Sequence, residues 1–130
     1  MENQEYIMKL SMLQEEAKKL EEQMNIVNNQ AGEFEILKMS LNNLNHGEIL
    51  AGLGKGLYVK SEIKEKELFV SVGAGVVVKK SKDETEKIID SQLVQMAELK
   101  DVLLHEIEKI NIQMKFLIDV LQKSGDGEKD

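Results

Sequence analysis

The sequence has no cysteine, no proline, no tryptophan and no arginine. Without cysteine there is no disulfide, no cysteine-ligated zinc, no iron–sulfur cluster and no thiol nucleophile. Without arginine, and with a net charge of −7, the chain is a poor match for nucleic acid or an anionic membrane surface. No apolar run approaches the ~18 residues of a membrane span. The first residues, Met1-Glu2-Asn3-Gln4-Glu5, are acidic and carry no apolar run of signal type. The expectation is one soluble, cytoplasmic domain of 130 residues.

What is present falls into three segments. Residues 1–45 are rich in Glu, Lys, Gln, Met and Leu. Residues 46–80 hold most of the glycine and valine, and residues 81–124 return to the first composition. The short polar stretch 125–130 is expected to be disordered.

The first segment predicts one long helix. Its apolar seam runs Tyr6, Leu10, Leu13, Ala17, Leu20, Met24, Val27, Ala31, Phe34, Leu37, Leu41, Leu44. Spacings that alternate four and three are those of a coiled coil. At Ala31, Phe34 and Leu37 the spacing is three and three, which predicts a stammer. Glu5–Lys9 and Glu15–Lys19 are spaced for ion pairs one turn apart, and Gly47 after Asn45-His46 offers a helix stop.

The third segment opens with a capping box, Ser81-Lys82-Asp83-Glu84. Its seam is Ile89, Leu93, Met96, Lys100, Leu103, Ile107, Ile110, Met114, Leu117, Leu121. Leu99 is an alternative to Lys100, and Gly125 predicts the end. Both seams are too narrow for a globular core, so the two helices are expected to form a long antiparallel coiled-coil hairpin.

The middle segment reads as strands. Leu57–Lys64 alternates apolar and polar residues, Leu68–Val72 follows a charged turn at Glu65-Lys66-Glu67, and Val76–Lys80 follows Gly73-Ala74-Gly75. Ile49–Leu53 is a weaker first strand. The class is therefore α+β: a coiled coil with two β-hairpins at its connecting end.

Isolated hairpins are marginal in water and leave open edges. The strands are expected to pair with other subunits, through Leu57, Val59, Ile63 and Leu68 and through Val70, Val72, Val76 and Val78. At the opposite end, apolar residues spill off the seams. Ile7, Met8 and Met12 do so on the first helix. On the second, Ile112, Phe116, Ile118 and Val120 crowd around Met114. Exposed apolar patches mark binding surfaces, and methionine adapts to many shapes. A wider local core is the plainer reading.

Catalytic signals are absent. Gly52-Leu53-Gly54-Lys55-Gly56 lacks the spacing of a phosphate loop and reads as a strand-end turn. His46 and His105 lie in different segments. The carboxylates sit on solvated helix faces with no pocket between them, and Asp126-Gly127 lacks the other ligands of a calcium loop. No enzyme, metal or cofactor is expected.

Two runs resemble the prefoldin alpha subunit family: Gly54-Lys55-Gly56-Leu57-Tyr58-Val59-Lys60-Ser61-Glu62-Ile63-Lys64, and Val70-Ser71-Val72-Gly73-Ala74-Gly75-Val76-Val77-Val78-Lys79-Lys80. Four strands fit the alpha type, since beta-type subunits have one hairpin. The sequence departs from the family at Leu50-Ala51-Gly52-Leu53-Gly54, where a proline is usual. The resemblance implies two alpha subunits with four beta subunits on a double β-barrel platform. It implies that the coiled-coil tips bind non-native proteins, through Ile7, Met8, Met12, Met114, Phe116, Ile118 and Val120, and pass them to a group II chaperonin without ATP. A divergent relative that assembles with itself into filaments, or a coiled-coil spacer with no client, is the alternative.

Overall fold

The computed structural model describes residues 2–44, 47–65 and 67–128, the last three of these as backbone only. The chain forms α1 (Glu2–Asn42), β1 (Gly47–Gly54), β2 (Leu57–Ile63), β3 (Leu68–Gly73), β4 (Val76–Lys80) and α2 (Lys82–Glu128). It divides into two compact units, Met1–Ala31 with Gln95–Asp130, and Gly32–Val94.

In the first unit the helices run antiparallel. Leu13 and Ala17 of α1 cluster with Ile110 and Leu117 of α2, with Tyr6, Leu10, Leu20 and Met114 against them. Ser124 Oγ donates to Asn3 Oδ1 at 3.2 Å, tying the start of α1 to the end of α2. Lys100, not Leu99, is the half-buried residue of the α2 seam; Leu99 is exposed. A lysine stem covers apolar surface while its ammonium stays in water, which makes this position tolerable.

The second unit corrects the α1 seam. Leu37 is exposed, and Lys38 is half-buried in its place. Lys38 Nζ lies 2.7 Å from Asp90 Oδ1 of α2. With Lys38 included, Val27, Ala31, Phe34, Lys38 and Leu41 keep the four–three alternation, so no stammer is required. An apolar-only template skips the lysine and creates the apparent irregularity.

Ser81 caps α2, and the Glu84 carboxylate of the expected box bonds the Ser81 hydroxyl rather than its backbone N–H. Ser81 Oγ accepts from the Glu84 amide at 3.1 Å and donates to Glu84 Oε1 at 3.2 Å. The Thr85 amide reaches Ser81 O at 3.0 Å, and the Thr85 hydroxyl reaches it at 2.8 Å. The cap satisfies the Glu84 N–H, which a helix start otherwise leaves free, and Thr85 N–H to Ser81 O is the first bond of the helix ladder.

Other boundaries differ from expectation. α1 ends at Asn42, and Gly47 is the first residue of β1 rather than a cap. Asn45, His46 and Lys66 lie outside the described residues. α2 passes the expected stop at Gly125 and reaches Glu128. The i,i+4 pairs Glu5–Lys9 and Glu15–Lys19 are not closed. The described ion pairs are Lys38–Asp90, Lys79–Glu67, Lys82–Glu86 and Lys109–Glu106. An exposed pair gains too little to hold two long side chains in one geometry.

The strands form two separate antiparallel hairpins, β1–β2 and β3–β4. β1 is longer than predicted, and its proline-free run pairs except at Leu53: Leu50 opposite Lys60, Ala51 opposite Val59, Gly52 opposite Tyr58 and Gly54 opposite Leu57. Both hairpins turn over two residues with positive φ, Lys55-Gly56 (49° and 79°) and Ala74-Gly75 (53° and 75°). That is the type I′ turn, whose twist matches that of paired strands. Each also carries a bulge just before the turn, between Gly52 and Gly54 and between Ser71 and Gly73.

The two hairpins are an internal repeat. Glu48-Ile49-Leu50-Ala51-Gly52-Leu53-Gly54-Lys55-Gly56-Leu57-Tyr58-Val59-Lys60 superposes in register on Glu67-Leu68-Phe69-Val70-Ser71-Val72-Gly73-Ala74-Gly75-Val76-Val77-Val78-Lys79. Two glycines (Gly54 with Gly73, Gly56 with Gly75), a glutamate, a valine and a lysine recur at matching positions, while Ser71 stands in the place of Gly52. The lysines face matching partners across the ladder, Leu50 for Lys60 and Phe69 for Lys79.

Candidate functional site

Among the described residues, exposed apolar side chains occur along both helices, at Ile26, Ile36, Met39, Val94 and Val102. Two surfaces carry those that the sequence singles out. The first lies on the helices of the Met1–Ala31 and Gln95–Asp130 unit. Ile7, Met8, Met12, Phe116 and Ile118 are exposed. Ile112 belongs with them: it is 69% exposed, more so than Phe116 at 65%. Met114 and Val120 differ. Both are half-buried, and Met114 packs against the Leu13–Ala17–Ile110–Leu117 cluster. Met114 is therefore part of the seam, as its heptad position predicts.

Tyr6, Lys9 and Leu13 of α1 face Ile112, Gln113, Phe116 and Leu117 of α2 across a shallow apolar groove. Its floor is the seam, and its rim includes the Lys9 stem and the exposed Phe116 ring. Such a groove suits an extended or helical apolar segment rather than a small substrate.

The second surface is that of the hairpins. Leu57, Val59, Val72, Val76 and Val78 are exposed, while Ile63, Leu68 and Val70 are half-buried. β3 is the strand that meets the helices. Leu68, Phe69 and Val70 line a groove with Phe34, Leu37 and Leu41 of α1 and Ile88 and Ile89 of α2. A second groove brings Leu44, Ile49 and Ile63 together with Leu68 and Phe69.

Period-two reading assigns one apolar face to each strand, and it missed the reverse faces. Leu50, Tyr58, Phe69 and Val77 project from those faces and are exposed. The signal was present: Val76-Val77-Val78 and Leu68-Phe69-Val70 are continuous apolar runs, the mark of strands with two apolar faces. Lys79 holds one of these residues in place. Its ammonium sits 5.7 Å from the Phe69 ring centroid and 3.3 Å from Glu67 Oε2. A cation over a ring face is attracted by the ring quadrupole.

The polar groups offer little chemistry. His105 Nδ1 donates to the Asp101 carbonyl one turn back, at 2.7 Å, and is a surface helix residue. Gly52–Gly56 ends a strand and makes the first hairpin turn. Among the described residues no group of three or more His, Asp or Glu side chains converges to hold a metal ion. No described helix is long and apolar enough to cross a membrane.

Comparison with known proteins agrees with this layout of two helices and two hairpins. The prefoldin family, described as "Prefoldin subunit", matches residues 13–126. A prefoldin subunit alpha of Thermofilum pendens is 25% identical over 105 residues, which cover 77% of this chain and 81% of that one. A prefoldin subunit alpha of Methanosphaera stadtmanae is 22% identical over 91 residues, 68% of this chain and 66% of that one. The fold is similar to that in a cryo-EM structure of filamentous PFD from Methanocaldococcus jannaschii. The two share 21% identity and a TM-score of 0.50, with 89% of this chain and 94% of that chain covered. Prefoldin subunits are chaperones rather than enzymes, and this chain belongs to the prefoldin family as an alpha-type subunit.

Proposed function

We propose that the chain is an ATP-independent holdase subunit of the cytoplasm. It captures non-native proteins on the exposed apolar residues of its helical unit and delivers them to a group II chaperonin. One observation carries the reading. Ile7, Met8, Met12, Ile112, Phe116 and Ile118 stand exposed beside a seam that is already filled by Leu13, Ala17, Ile110 and Leu117. Covering apolar surface gains roughly 25 cal/mol per Å² before ordering costs. One such patch binds weakly, and several held in one assembly gain by effective concentration.

The assembly is made by the hairpins. Two alpha subunits combine with four beta subunits on a β-barrel platform, through Leu57, Val59, Ile63, Leu68, Val70, Val72, Val76 and Val78. The open strand edges and exposed reverse faces of β1–β2 and β3–β4 support this.

The test is suppression of light scattering by a chemically denatured protein diluted into the assembled subunit, with no nucleotide. Ile7→Ser with Phe116→Ser removes exposed side chains that no core residue needs, so the fold is retained. Suppression is expected to fall several-fold. Full suppression by the double variant would overturn the site assignment.

A second reading rests on the filamentous relative. In it the hairpins pair with further copies of this chain, and the helices are spacers without clients. Light scattering on a sizing column separates the two. Small species that grow only when a beta-type subunit is added support the holdase reading. Large homopolymers from the chain alone support the filament.

A further inference from the structure

We propose that Met8 and Met12 form a reversible oxidation site that lowers the apolar character of the helical unit under peroxide stress. The chain has no cysteine and seven methionines, so thioethers are its only oxidisable sulfur. Peroxide therefore meets no competing thiolate on this chain.

The methionines are unequally placed. Met8 and Met12 are 66% and 69% exposed and stand one turn apart on α1, where neighbours four residues apart meet on the helix surface. Both lie off the Tyr6–Leu10–Leu13–Ala17 seam. Met24, Met96 and Met114 are half-buried, and Met114 packs against the seam cluster. Met39 is 63% exposed but belongs to the other unit.

The chemistry is oxygen transfer from a peroxide. The thioether sulfur lone pair attacks one peroxide oxygen and the O–O bond breaks. Sulfur gives up two electrons and becomes the sulfoxide, and hydrogen peroxide leaves as water. Reductases return the thioether at the expense of two thiols, which become a disulfide, with release of water. The sulfoxide places a polar, hydrogen-bond-accepting oxygen where an apolar partner would otherwise cover the surface, and covering it without a donor is unfavourable. Because neither side chain packs into the seam, α1 and its pairing with α2 are left intact.

The consequence for capture rests on the function proposed above; the site itself does not. The full-length chain is treated with hydrogen peroxide, and oxygen uptake at each methionine is followed by peptide mass mapping. Met8 and Met12 are expected to oxidise several-fold faster than Met24, Met96 and Met114. Equal rates would overturn the site, whether or not the chain binds clients.

Client capture is then compared before and after peroxide. Each protein is scored against its own untreated level. The wild type and Met39→Leu are expected to lose capture several-fold on peroxide treatment, while Met8→Leu with Met12→Leu, whatever its starting level, shows no peroxide-dependent loss. Unchanged capture by the oxidised wild type, or equal loss in the Leu double variant, would overturn the regulatory role. An untreated protein that captures nothing would count against the holdase reading and overturn the regulatory role with it. The order of oxidation would still decide the site.

Discussion

The two hairpins share one pattern and end in different surroundings. Turn, bulge and register are the same in β1–β2 and β3–β4. Yet Val70 of β3 is half-buried in a groove shared with Phe34, Leu41 and Ile89. Most of β1 and β2 lies open, with only Ala51, Ser61 and Ile63 half-buried. Local sequence sets the hairpin, because a type I′ turn and a bulge are decided by φ within a few residues. The helices set which strand they reach: Leu68 and Val70 of β3 are half-buried, while β4 is exposed except at Lys80. Shared local code therefore says nothing about shared environment.

The largest effect should come from charging the groove that β3 lines. Val70→Asp places a carboxylate in an apolar groove with no cationic residue among its lining side chains. A loss of ~2 kcal/mol is expected, read as a lowered midpoint in thermal unfolding at fixed protein concentration. Leu50→Asp, on an exposed face of the open hairpin, should change the isolated chain by no more than ~0.5 kcal/mol. Equal effects would mean that the two hairpins are not differently covered.

Where the hairpins are alike, their variants should agree. Gly56→Ala and Gly75→Ala each force a side chain into a left-handed conformation, at φ 79° and 75°. Each should cost ~1–2 kcal/mol. Neither added Cβ meets any atom within 4 Å, so the cost is backbone strain alone. Ala74 already bears such strain at φ 53°, and Ala74→Asn should recover part of it, since Asn tolerates this region. A Gly56→Ala variant as stable as the wild type would refute the shared turn.

Much of this was legible in the residues, and the failures have one cause. Element types came through because long seams and glycine-flanked strands carry strong periods. The cap at Ser81–Glu84 was readable because its chemistry is local. What failed was anything set by a neighbour. Lys38 was skipped as polar, although Asp90 across the helix pair makes it a seam residue. The sequence does not show which strand meets the helices, because the groove of Phe34, Leu37 and Leu41 exists only after folding. The exposed patch was readable at Ile7, Met8, Met12, Phe116 and Ile118. Met114 is told from it by its heptad position, whereas the half-burial of Val120 is not legible, since a crowded apolar stretch does not say which further member is covered.

A smaller, stabilising effect is expected from the remaining kind of glycine. Gly32 lies inside α1, and an added Cβ there meets nothing within 4 Å. Unlike Gly56 and Gly75 it is not at positive φ. Gly32→Ala should therefore raise stability by ~0.5–1 kcal/mol, by restricting the unfolded chain and favouring the helix. A lowered midpoint would mean that α1 uses the freedom of that glycine.

The smallest effect is the most specific to the covered side of the molecule. Asp90 raises the Lys38 ammonium above its ordinary value of 10.5, first by accepting its hydrogen bond and then by charge, and Glu35 and Glu86 add to this. A cation whose folded value is raised stabilises the fold fully below the unfolded value and loses that contribution as pH climbs through the folded one. The midpoint difference between wild type and Lys38→Met should thus be flat up to pH 10.5 and shrink above it. Both side chains are partly exposed, so the difference should also shrink with added salt. Lys82–Glu86, at 4.0 Å and within one helix, bridges no two elements, and Lys82→Met should show a smaller difference still. A Lys38→Met variant that matched the wild type at every pH would make the seam position indifferent to its lysine. The polar exception in the α1 heptads would then be a tolerated residue rather than a bond between the helices that β3 packs against.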